Sequence, residues 1–244
     1  MPLEWGTQSD WENASKNNIE VVNDTIQLAT AIPDSGVSRW EFEQNVNDSW
    51  GSFDAIDGSS AGYSTEAEVG EYSKLLDGTD DYIEVDHNYS TFENSDFSIT
   101  GWAKFDALHS NNVIFAGEDG GNAGDGDTWW FVGYSDLENS WQVQIDEGGG
   151  NKTVSSGSTP STGTWYFISW IVTAGGGTEL YIDANSDLTT GYNDFNASSH
   201  SLYFGNNGRG ENYLNGHIDD IRVYNKALSG TEVSNLYNTG SING

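Results

Sequence analysis

The chain has 244 residues, among them 38 Asp or Glu but only 8 Lys or Arg, so its formal net charge is −30. This balance excludes nucleic acid as a partner, because phosphate backbones are bound by clustered Lys and Arg, and it disfavours anionic membrane surfaces. The absence of cysteine excludes disulfides and thiolate metal sites, and the absence of an apolar run of about 18 residues excludes membrane insertion by a helix.

The surplus of carboxylates predicts adaptation to concentrated salt. At low ionic strength such a surface repels itself and destabilises the folded state. In molar salt the Debye length falls to about 3 Å, so the repulsion is screened. We therefore expect a halophilic protein, and an acidic secreted protein neutralised by Ca²⁺ is the alternative.

Residues 1–38 differ in pattern from the remainder of the chain. Apolar residues alternate with polar ones through residues 19–28, on both sides of the turn-like pair Asn23-Asp24, which predicts a small hairpin. Trp5 and Trp11 lie among polar residues, where they either anchor a partner or pack onto the rest of the protein. We expect residues 1–38 to form an N-terminal hairpin or arm that serves as an attachment segment, and residues 39–244 to form one domain.

Short strand signals follow one another from Arg39 onward. In residues 97–105, Phe, Ile, Gly, Ala and Phe alternate with Ser, Thr, Trp and Lys, a period of two that predicts a half-buried antiparallel strand. Similar short segments, separated by Gly- and Ser-rich turns, predict further strands at residues 40–43, 82–85, 113–116, 129–134, 141–145, 165–172 and 180–182.

One helix is predicted near the C-terminus. Ser229 and Glu232 have the spacing of a capping box, and apolar residues then follow at helical spacing up to Gly240. The strands, their many turns and this single helix predict an all-β protein, in which two antiparallel sheets pack as a sandwich beside one short C-terminal helix.

Several segments in a fixed order indicate a family. Residues 214–228 read LNGHIDDIRVYNKAL, and residues 75–85 read LLDGTDDYIEV; weaker matches are the segments 97–102, 165–168 and 180–184. Over residues 39–240 the chain resembles the laminin-G-like, concanavalin A-like jelly-roll domains, although Ala184 stands where glycine is usual in that family. The resemblance implies a jelly-roll sandwich that serves in surface recognition.

The same resemblance implies a structural calcium ion. Members of the family often hold Ca²⁺ near the opening strand, the D-G-x-D-D turn and the closing strand, which implies Glu43, Asp77 and Asp219 as ligands here, with Asp80 in reserve. Carboxylate oxygens are the ligands that Ca²⁺ prefers.

The position of Asp219 in the closing strand is unusual for an acid. Simple alternation places it on the same face as the apolar residues Ile221 and Val223. A carboxylate in such surroundings must be paired, hydrogen-bonded or bound to a cation. Backbone N–H groups at a turn are the alternative to calcium.

Two polar loops carry the groups of a carbohydrate site. Such sites combine carboxylate and amide groups, which bond sugar hydroxyls, with an aromatic ring that packs on the C–H face of the sugar. The candidate ligand-binding residues are Asp119, Asp125, Asp127 and Trp129 around the first loop, and Asn206, Asn207, Arg209 and Tyr213 in the second. A solvated acidic loop on a halophilic surface is the alternative interpretation.

Catalytic signatures are weak in this sequence. Retaining glycosidases hold two carboxyl groups about 5–5.5 Å apart, which on one strand requires alternating acids. Glu41 with Glu43, and Glu66 with Glu68, alternate in this way, but neither pair has a third acid. The four His residues lack zinc-site spacing, and no nucleophile elbow or P-loop occurs. We therefore expect a protein that is not an enzyme.

The N-terminal sequence bears on localisation. The first residues lack the basic and apolar regions of a signal peptide, whereas the family resemblance implies work outside cells, at an extracellular or virion surface. Assembly into a virus particle reconciles the two, and an engineered first Met is the alternative. We expect a non-enzymatic adhesion protein that binds a glycan or glycoprotein of a halophilic host surface as a virion fibre, spike or capsid decoration.

The partners of residues 1–38 are then expected to be other virion or surface proteins, and a homo-oligomer is compatible with this role. Two other functions compete with this hypothesis. One is an extracellular glycoside hydrolase or its carbohydrate-binding module. The other is a purely structural virion protein.

Overall fold

The computed structural model describes residues 19–22, 25–28, 36–86, 95–109, 111–118, 128–147, 151–191 and 201–240. The chain divides into two compact units, Met1–Asp34 and Ser35–Gly244. In the first unit, β1 (Ile19–Val22) pairs antiparallel with β2 (Thr25–Leu28) in the segment for which the sequence predicts a hairpin. Among the described residues, no helix has the length and apolar character needed to cross a membrane.

The described part of the second unit consists of short strands and one helix. Its elements are β3 (Gly36–Trp40), β4 (Ile56–Asp57), β5 (Gly62–Ser64), β6 (Ser73–Asp77), β7 (Ile83–Val85), β8 (Phe97–Phe105), β9 (Asn112–Glu118), β10 (Thr128–Ser135), β11 (Ser140–Glu147), β12 (Asn151–Ser155), β13 (Trp165–Thr173), β14 (Gly177–Ile182), β15 (Asn185–Thr190), β16 (Ser201–Phe204), β17 (Asn215–Tyr224) and α1 (Gly230–Gly240).

These strands form two antiparallel sheets. The seven-stranded sheet has the order β12-β11-β10-β9-β16-β7-β4, and the eight-stranded sheet has the order β15-β14-β13-β8-β17-β6-β5, with β3 also paired to β17. The prediction of an all-β, two-sheet antiparallel sandwich with one short C-terminal helix is therefore confirmed.

The main core lies between the two sheets and is rich in aromatic side chains. Trp40, Trp141 and Trp170 are fully or almost fully buried there, and the rings of Trp130 and Trp170 have centroids 4.5 Å apart. Large rings supply much apolar area per residue. This explains how a chain with 35% hydrophobic residues builds a core.

The predicted half-burial of residues 97–105 was wrong, because β8 is buried on both faces. One face lies in the main core, as its alternation predicts. The other face carries Trp102, which joins a second apolar cluster with Phe167 and with Val233 and Leu236 of α1. The helix covers this face of the eight-stranded sheet, so side chains expected in solvent lie in the interior.

The closing strand β17 contains a bulge that changes which face its residues occupy. The register with β8 shifts between Asp219 and Arg222, and Asp220 has a φ of 46°. Asp219 pairs with Trp102 on the helix-covered face, whereas Val223 lies in the core between the sheets. The expectation that Asp219 shares a face with Ile221 and Val223 was therefore wrong, since an extra residue inverts the alternation.

Candidate functional site

The outer face of the seven-stranded sheet carries aromatic side chains. Along β10, Trp130 and Val132 point into the main core, so Trp129 and Phe131 face outward. The rings of Trp129 and Phe131 are stacked, with centroids 5.8 Å apart and planes at 9°. Tyr203 of β16 belongs to the same cluster and, like Trp129, is half-buried. A partly open aromatic surface results, which we call the Trp129 face: Trp129, Phe131, Tyr203, Glu118 and Arg209.

An ion pair borders this surface. The Arg209 guanidinium donates from Nε to Oε2 of Glu118 at 2.6 Å and from Nη2 to Oε1 at 3.0 Å. The Glu118 side chain is 1% exposed, and the Arg209 guanidinium carbon lies 5.4 Å from the centroid of the Trp129 ring. Bidentate pairing fixes the guanidinium in position, and the aromatic ring favours a cation at this distance.

Local turn chemistry holds the loop that carries Arg209. The Asn206 side-chain oxygen accepts the N–H of Gly208 at 2.9 Å, and the Asn207 oxygen accepts those of Arg209 and Glu211 at 3.1 and 3.2 Å. Gly208 has a φ of 75°, a left-handed conformation that favours glycine. The loop is therefore preorganised by its own amides.

Tyr203 connects the Trp129 face to the neighbouring strand β7. Its hydroxyl donates to Oε1 of Glu84 at 3.1 Å, and its ring lies 6.1 Å from that of Tyr82. Burial, and then the charge of Glu84, raise the pKa of Tyr203 above its ordinary value. The hydroxyl consequently stays neutral.

Two amides lie on β11 beside the aromatic residues. Gln144 is the cross-strand partner of Phe131, and Gln142 is the partner of Gly133. Gln142 is 5% exposed, and its side-chain oxygen has no hydrogen-bond partner among the described residues. Amide donors and acceptors beside an aromatic ring suit a ligand that carries hydroxyl groups.

The structure brings together only some of the predicted ligand-binding residues. Trp129 and Arg209 are in contact across two elements. Asn206 and Asn207 lie in the Arg209 loop, where their side-chain oxygens hold the turn. The loop also contains Tyr213, whose backbone oxygen accepts from Asn112 at 3.0 Å. The remaining predicted residues lie outside the described residues, and they are Asp119, Asp125 and Asp127.

Glu118 and Tyr203 were not among the predicted ligand-binding residues. The sequence places Glu118 among the acids of the candidate loop at residues 117–127, but it does not indicate that Glu118 binds Arg209. Its partner Arg209 is 91 positions further along the chain, and no local pattern connects the two. Tyr203 required knowledge that β16 lies between β9 and β7.

Glu43 and Asp219, two of the three predicted calcium ligands, bind the same chain segment. The Asp219 Oδ2 accepts the N–H groups of Glu68 and Val69, both at 2.9 Å. Oε1 of Glu43 accepts those of Glu71 and Tyr72 at 2.9 and 3.3 Å. The backbone N–H groups that were the alternative to calcium are thus present.

The environment of Asp219 is costly for a charged carboxylate. Asp219 is fully buried, and its Oδ1 has no hydrogen-bond partner among the described residues. Burial, and to a smaller extent the charges of Asp220 and Glu43, raise the pKa of Asp219 to about 8. An orphaned carboxylate oxygen with a second carboxylate nearby fits a hard cation.

Asp77, the third predicted calcium ligand, lies elsewhere. It is paired with Asn215, four residues before Asp219 on β17, a separation of roughly 13 Å at strand spacing. Its carboxylate clusters with those of Asp80 and Asp81, with ligand atoms within 4.8 Å of one another. The structure therefore separates Asp77 from the other two predicted ligands and joins it to Asp80.

The alternating acid pairs have structural partners. Glu41 binds Arg39 at 2.8 Å, and Glu66 binds Lys104. Both pairs adjoin strands of the eight-stranded sheet, whereas the aromatic residues lie on the outer face of the other sheet. Neither pair belongs to the Trp129 face.

Comparisons with known proteins agree with this architecture. The model of the Laminin_G_3 family, described as the concanavalin A-like lectin/glucanases superfamily, matches residues 77–234. None of the curated proteins matches the chain by sequence.

Solved structures share the fold at low sequence identity. Domain 4 of AbnA, a GH43 extracellular arabinanase from Geobacillus stearothermophilus in complex with arabinotriose, has 18% identity and a TM-score of 0.69, over 83% of this chain and 98% of that one. Trypanosoma rangeli sialidase has 15% identity and a TM-score of 0.67, over 97% and 39%. The binding domain of botulinum neurotoxin serotype D has 17% identity and a TM-score of 0.65, over 85% and 52%. The chain thus spans about two fifths of the sialidase and half of the toxin domain.

Proposed function

The chain belongs to the concanavalin A-like lectin/glucanases superfamily, and we propose that it is a non-enzymatic protein that binds glycans on the Trp129 face. One observation carries this proposal: the half-buried Trp129 ring lies beside the nearly parallel ring of Phe131, with centroids 5.8 Å apart, and the guanidinium carbon of Arg209 lies 5.4 Å from its centroid. The apolar face of a sugar packs on such a ring. Its hydroxyls find amide and hydroxyl groups on the strands beside it.

The residues around the Trp129 ring suit an uncharged sugar. The charge of Arg209 is matched by that of Glu118, so the bordering pair is electrically balanced. The half-buried Gln144 supplies an amide group on one side, with Gln142 buried behind it, and the neutral hydroxyl of Tyr203 lies in the same cluster. Such groups discriminate sugars by hydrogen bonding, because a buried polar group left unpaired is costly.

Two of the similar solved structures support a binding role for this fold. Domain 4 of the arabinanase was solved with arabinotriose, and the toxin segments are binding domains. An extracellular glycoside hydrolase, or a carbohydrate-binding module of one, is the competing function, since 39% of the Trypanosoma rangeli sialidase chain shares the fold. Glu118 is a weak catalytic candidate, because both of its carboxylate oxygens are bound by the Arg209 guanidinium and its side chain is only 1% exposed.

A glycan array at molar salt, followed by calorimetry, tests the proposal. Trp129→Ala is expected to abolish binding of any glycan that the wild type retains, while Trp165→Ala, at a half-buried tryptophan of the other sheet, keeps it. Equal loss in both variants, or glycan turnover by the wild type, would contradict non-enzymatic binding on this face.

The biological setting is a finer proposal. We propose that the glycan or glycoprotein belongs to a halophilic host surface, as the charge of −30 favours, and that the protein is a virion fibre, spike or capsid decoration. Residues 1–38 would join it to other virion or surface proteins. Because β3 begins at Gly36, a deletion of residues 1–34 should abolish assembly and leave the sandwich folded. If the protein is purely structural, the deletion should abolish assembly in the same way, and the wild type should bind no glycan.

We also propose a structural calcium ion held by Glu43 and Asp219. The orphaned Oδ1 of Asp219 and the nearby Glu43 are consistent with it. A divalent cation there would neutralise the buried carboxylate and tie residues 68–72 to β17. Asp77 is not placed to join them, so it takes no part in this ion.

A further inference from the structure

The loop between β3 and β4 contains an acceptor pattern for N-linked glycosylation. Asn47, Asp48 and Ser49 read Asn-X-Ser, where the middle residue is not proline, and we call these three residues the Asn47 sequon. The same pattern occurs at positions whose side chains lie outside the described residues, namely Asn13, Asn23, Asn88, Asn151 and Asn196. The structure therefore bears on the Asn47 sequon, where the surroundings of the acceptor amide are described.

The Asn47 sequon presents its amide and its hydroxyl on one exposed side of the chain. Val46 packs against the main core and Asp48 is 8% exposed, whereas Asn47 and Ser49 are exposed. Asp48 also forms a β-bridge with Trp40, so the segment is locally extended. Side chains two positions apart lie on the same side of an extended segment. The amide of Asn47 and the hydroxyl of Ser49 therefore face solvent together.

The fold does not use the side-chain amide of Asn47. The backbone N–H of Asn47 donates to Oδ1 of Asn45 at 3.0 Å, but the Asn47 side chain makes no hydrogen bond among the described residues. Nδ2 of Asn45, in contrast, donates to the Glu43 carbonyl at 2.8 Å. The Ser49 hydroxyl donates to the Arg39 carbonyl at 3.2 Å and stays exposed. Modification of Asn47 at Nδ2 therefore breaks no hydrogen bond of the described structure.

The middle residue of the sequon holds the loop from within. The Asp48 carboxylate accepts backbone N–H groups from Arg39 and from three residues of the following turn, at 2.9–3.1 Å. Its charge is thereby directed into the loop and away from solvent. The backbone beside Asn47 is thus fixed without any contribution from the Asn47 side chain.

We propose that Asn47 is a site of N-linked glycosylation. The donor is an oligosaccharide joined to a lipid through phosphate or pyrophosphate. Nδ2 of Asn47 forms a bond to the anomeric carbon of the first sugar, and the bond between that carbon and the phosphate oxygen breaks. The lipid phosphate leaves with the electron pair, and one amide proton passes to a base of the transferase. The transfer requires no oxidant or reductant.

This site does not depend on glycan binding at the Trp129 face, with which it shares no residue. The loop leads into β4 at the edge of the seven-stranded sheet, and three strands separate β4 from β10. At about 4.8 Å between neighbouring strands, β4 lies roughly 19 Å from β10. Because such sequons are modified on secreted chains, a glycan on Asn47 also reports that the chain is exported.

Mass spectrometry of the chain isolated from its natural source tests the proposal. The peptide that contains Asn47 is expected to carry the added mass of an oligosaccharide, with fragment ions that place the sugar on Asn47. Recovery of this peptide only at the mass of its amino-acid sequence would overturn the proposal.

Variants produced in the same cells test the acceptor pattern. Asn47→Gln and Ser49→Ala should each lose the added mass, while Ser49→Thr should keep it, because threonine also completes the pattern. Asn45→Gln is the matched control, since Asn45 is exposed in the same loop but lies outside the sequon. Retention of the added mass in Ser49→Ala, or its loss in Asn45→Gln, would contradict the assignment.

Discussion

Arg209 lies against the ring of Trp129, with its guanidinium carbon 5.4 Å from the ring centroid. Arg209 lies in a glycine-rich loop, and Trp129 lies on strand β10. Glu118, at the end of β9, holds the Arg209 guanidinium in place with two hydrogen bonds. Residues from β9, β10 and the Arg209 loop therefore contact one another on the outer face of the seven-stranded sheet, around the Trp129 ring.

The buried ion pair makes a first prediction. Arg209→Ala removes the guanidinium that binds both oxygens of the 1% exposed Glu118 carboxylate, and we expect a loss of about 3 kcal/mol in the free energy of unfolding. The double variant Glu118→Gln/Arg209→Ala should recover part of this loss, because no buried charge remains. Urea unfolding at molar salt measures both. Equal stability of Arg209→Ala and the wild type would show that the pair is not closed in solution.

Salt dependence follows from the net charge of −30. Repulsion between carboxylates is screened as the Debye length falls from about 10 Å at 0.1 M to about 3 Å at 1 M salt. We therefore expect the thermal midpoint to rise steeply over this range, in sodium glutamate as well as in sodium chloride. A midpoint that is flat or falls with added salt would contradict halophilic adaptation.

Calcium removal provides a third prediction. A chelator should lower the thermal midpoint of the wild type, and added Ca²⁺ should restore it, because the ion binds only the folded chain. Asp219→Asn and Glu43→Gln should be insensitive to both treatments. Asp77→Asn serves as the control and should stay sensitive, since Asp77 clusters with Asp80 and Asp81. If only Asp77→Asn lost the response, the ion would belong to the exposed cluster instead.

Asp48 gives a pH-dependent prediction. Burial by itself raises its pKa, but hydrogen bonds from backbone N–H groups, that of Arg39 first, bring the pKa below the ordinary value of 3.8. Its oxygens accept four such groups, from Arg39, Trp50, Gly51 and Phe53, at 2.9–3.1 Å.

A depressed folded-state pKa contributes stability that is present above the unfolded value and lost as the pH falls through the folded value. Asp48→Asn should therefore cost about 2 kcal/mol at pH 7, and this cost should shrink when the pH falls below 3.8. Chemical unfolding of both proteins at the two pH values measures the difference. Asp54→Asn is the control, since Asp54 accepts one backbone N–H, from Asp48. A cost that is the same at both pH values would mean that the carboxylate charge is not what holds the loop.

Local patterns were sufficient for the elements that depend on neighbouring residues. The capping box at Ser229 and Glu232 is present: the Glu232 carboxylate accepts the Ser229 N–H at 2.9 Å, and the Ser229 hydroxyl accepts the Glu232 N–H at 3.3 Å. The alternation in residues 97–105 likewise predicted which side chains of β8 face the main core. Both signals act over a few positions, so the sequence contains them directly.

The candidate sites required contacts between distant residues. Glu118 and Arg209 are 91 positions apart, and Asp219 receives N–H groups from residues 150 and 151 positions before it. The burial of the second face of β8 likewise depends on α1, which no pattern in β8 reports.

The sequence by itself determined the class of the fold, its closing strand and helix, and the extreme charge, because periodicity and composition are local or additive properties. Tertiary structure alone decided that Trp129 meets Arg209, that Asp77 is separated from Asp219, and that the bulge at Asp220 moves Asp219 to the helix-covered face. The physical reason is strand pairing. Register joins residues that are far apart in the chain, and one extra residue in a strand reverses the faces of those before it.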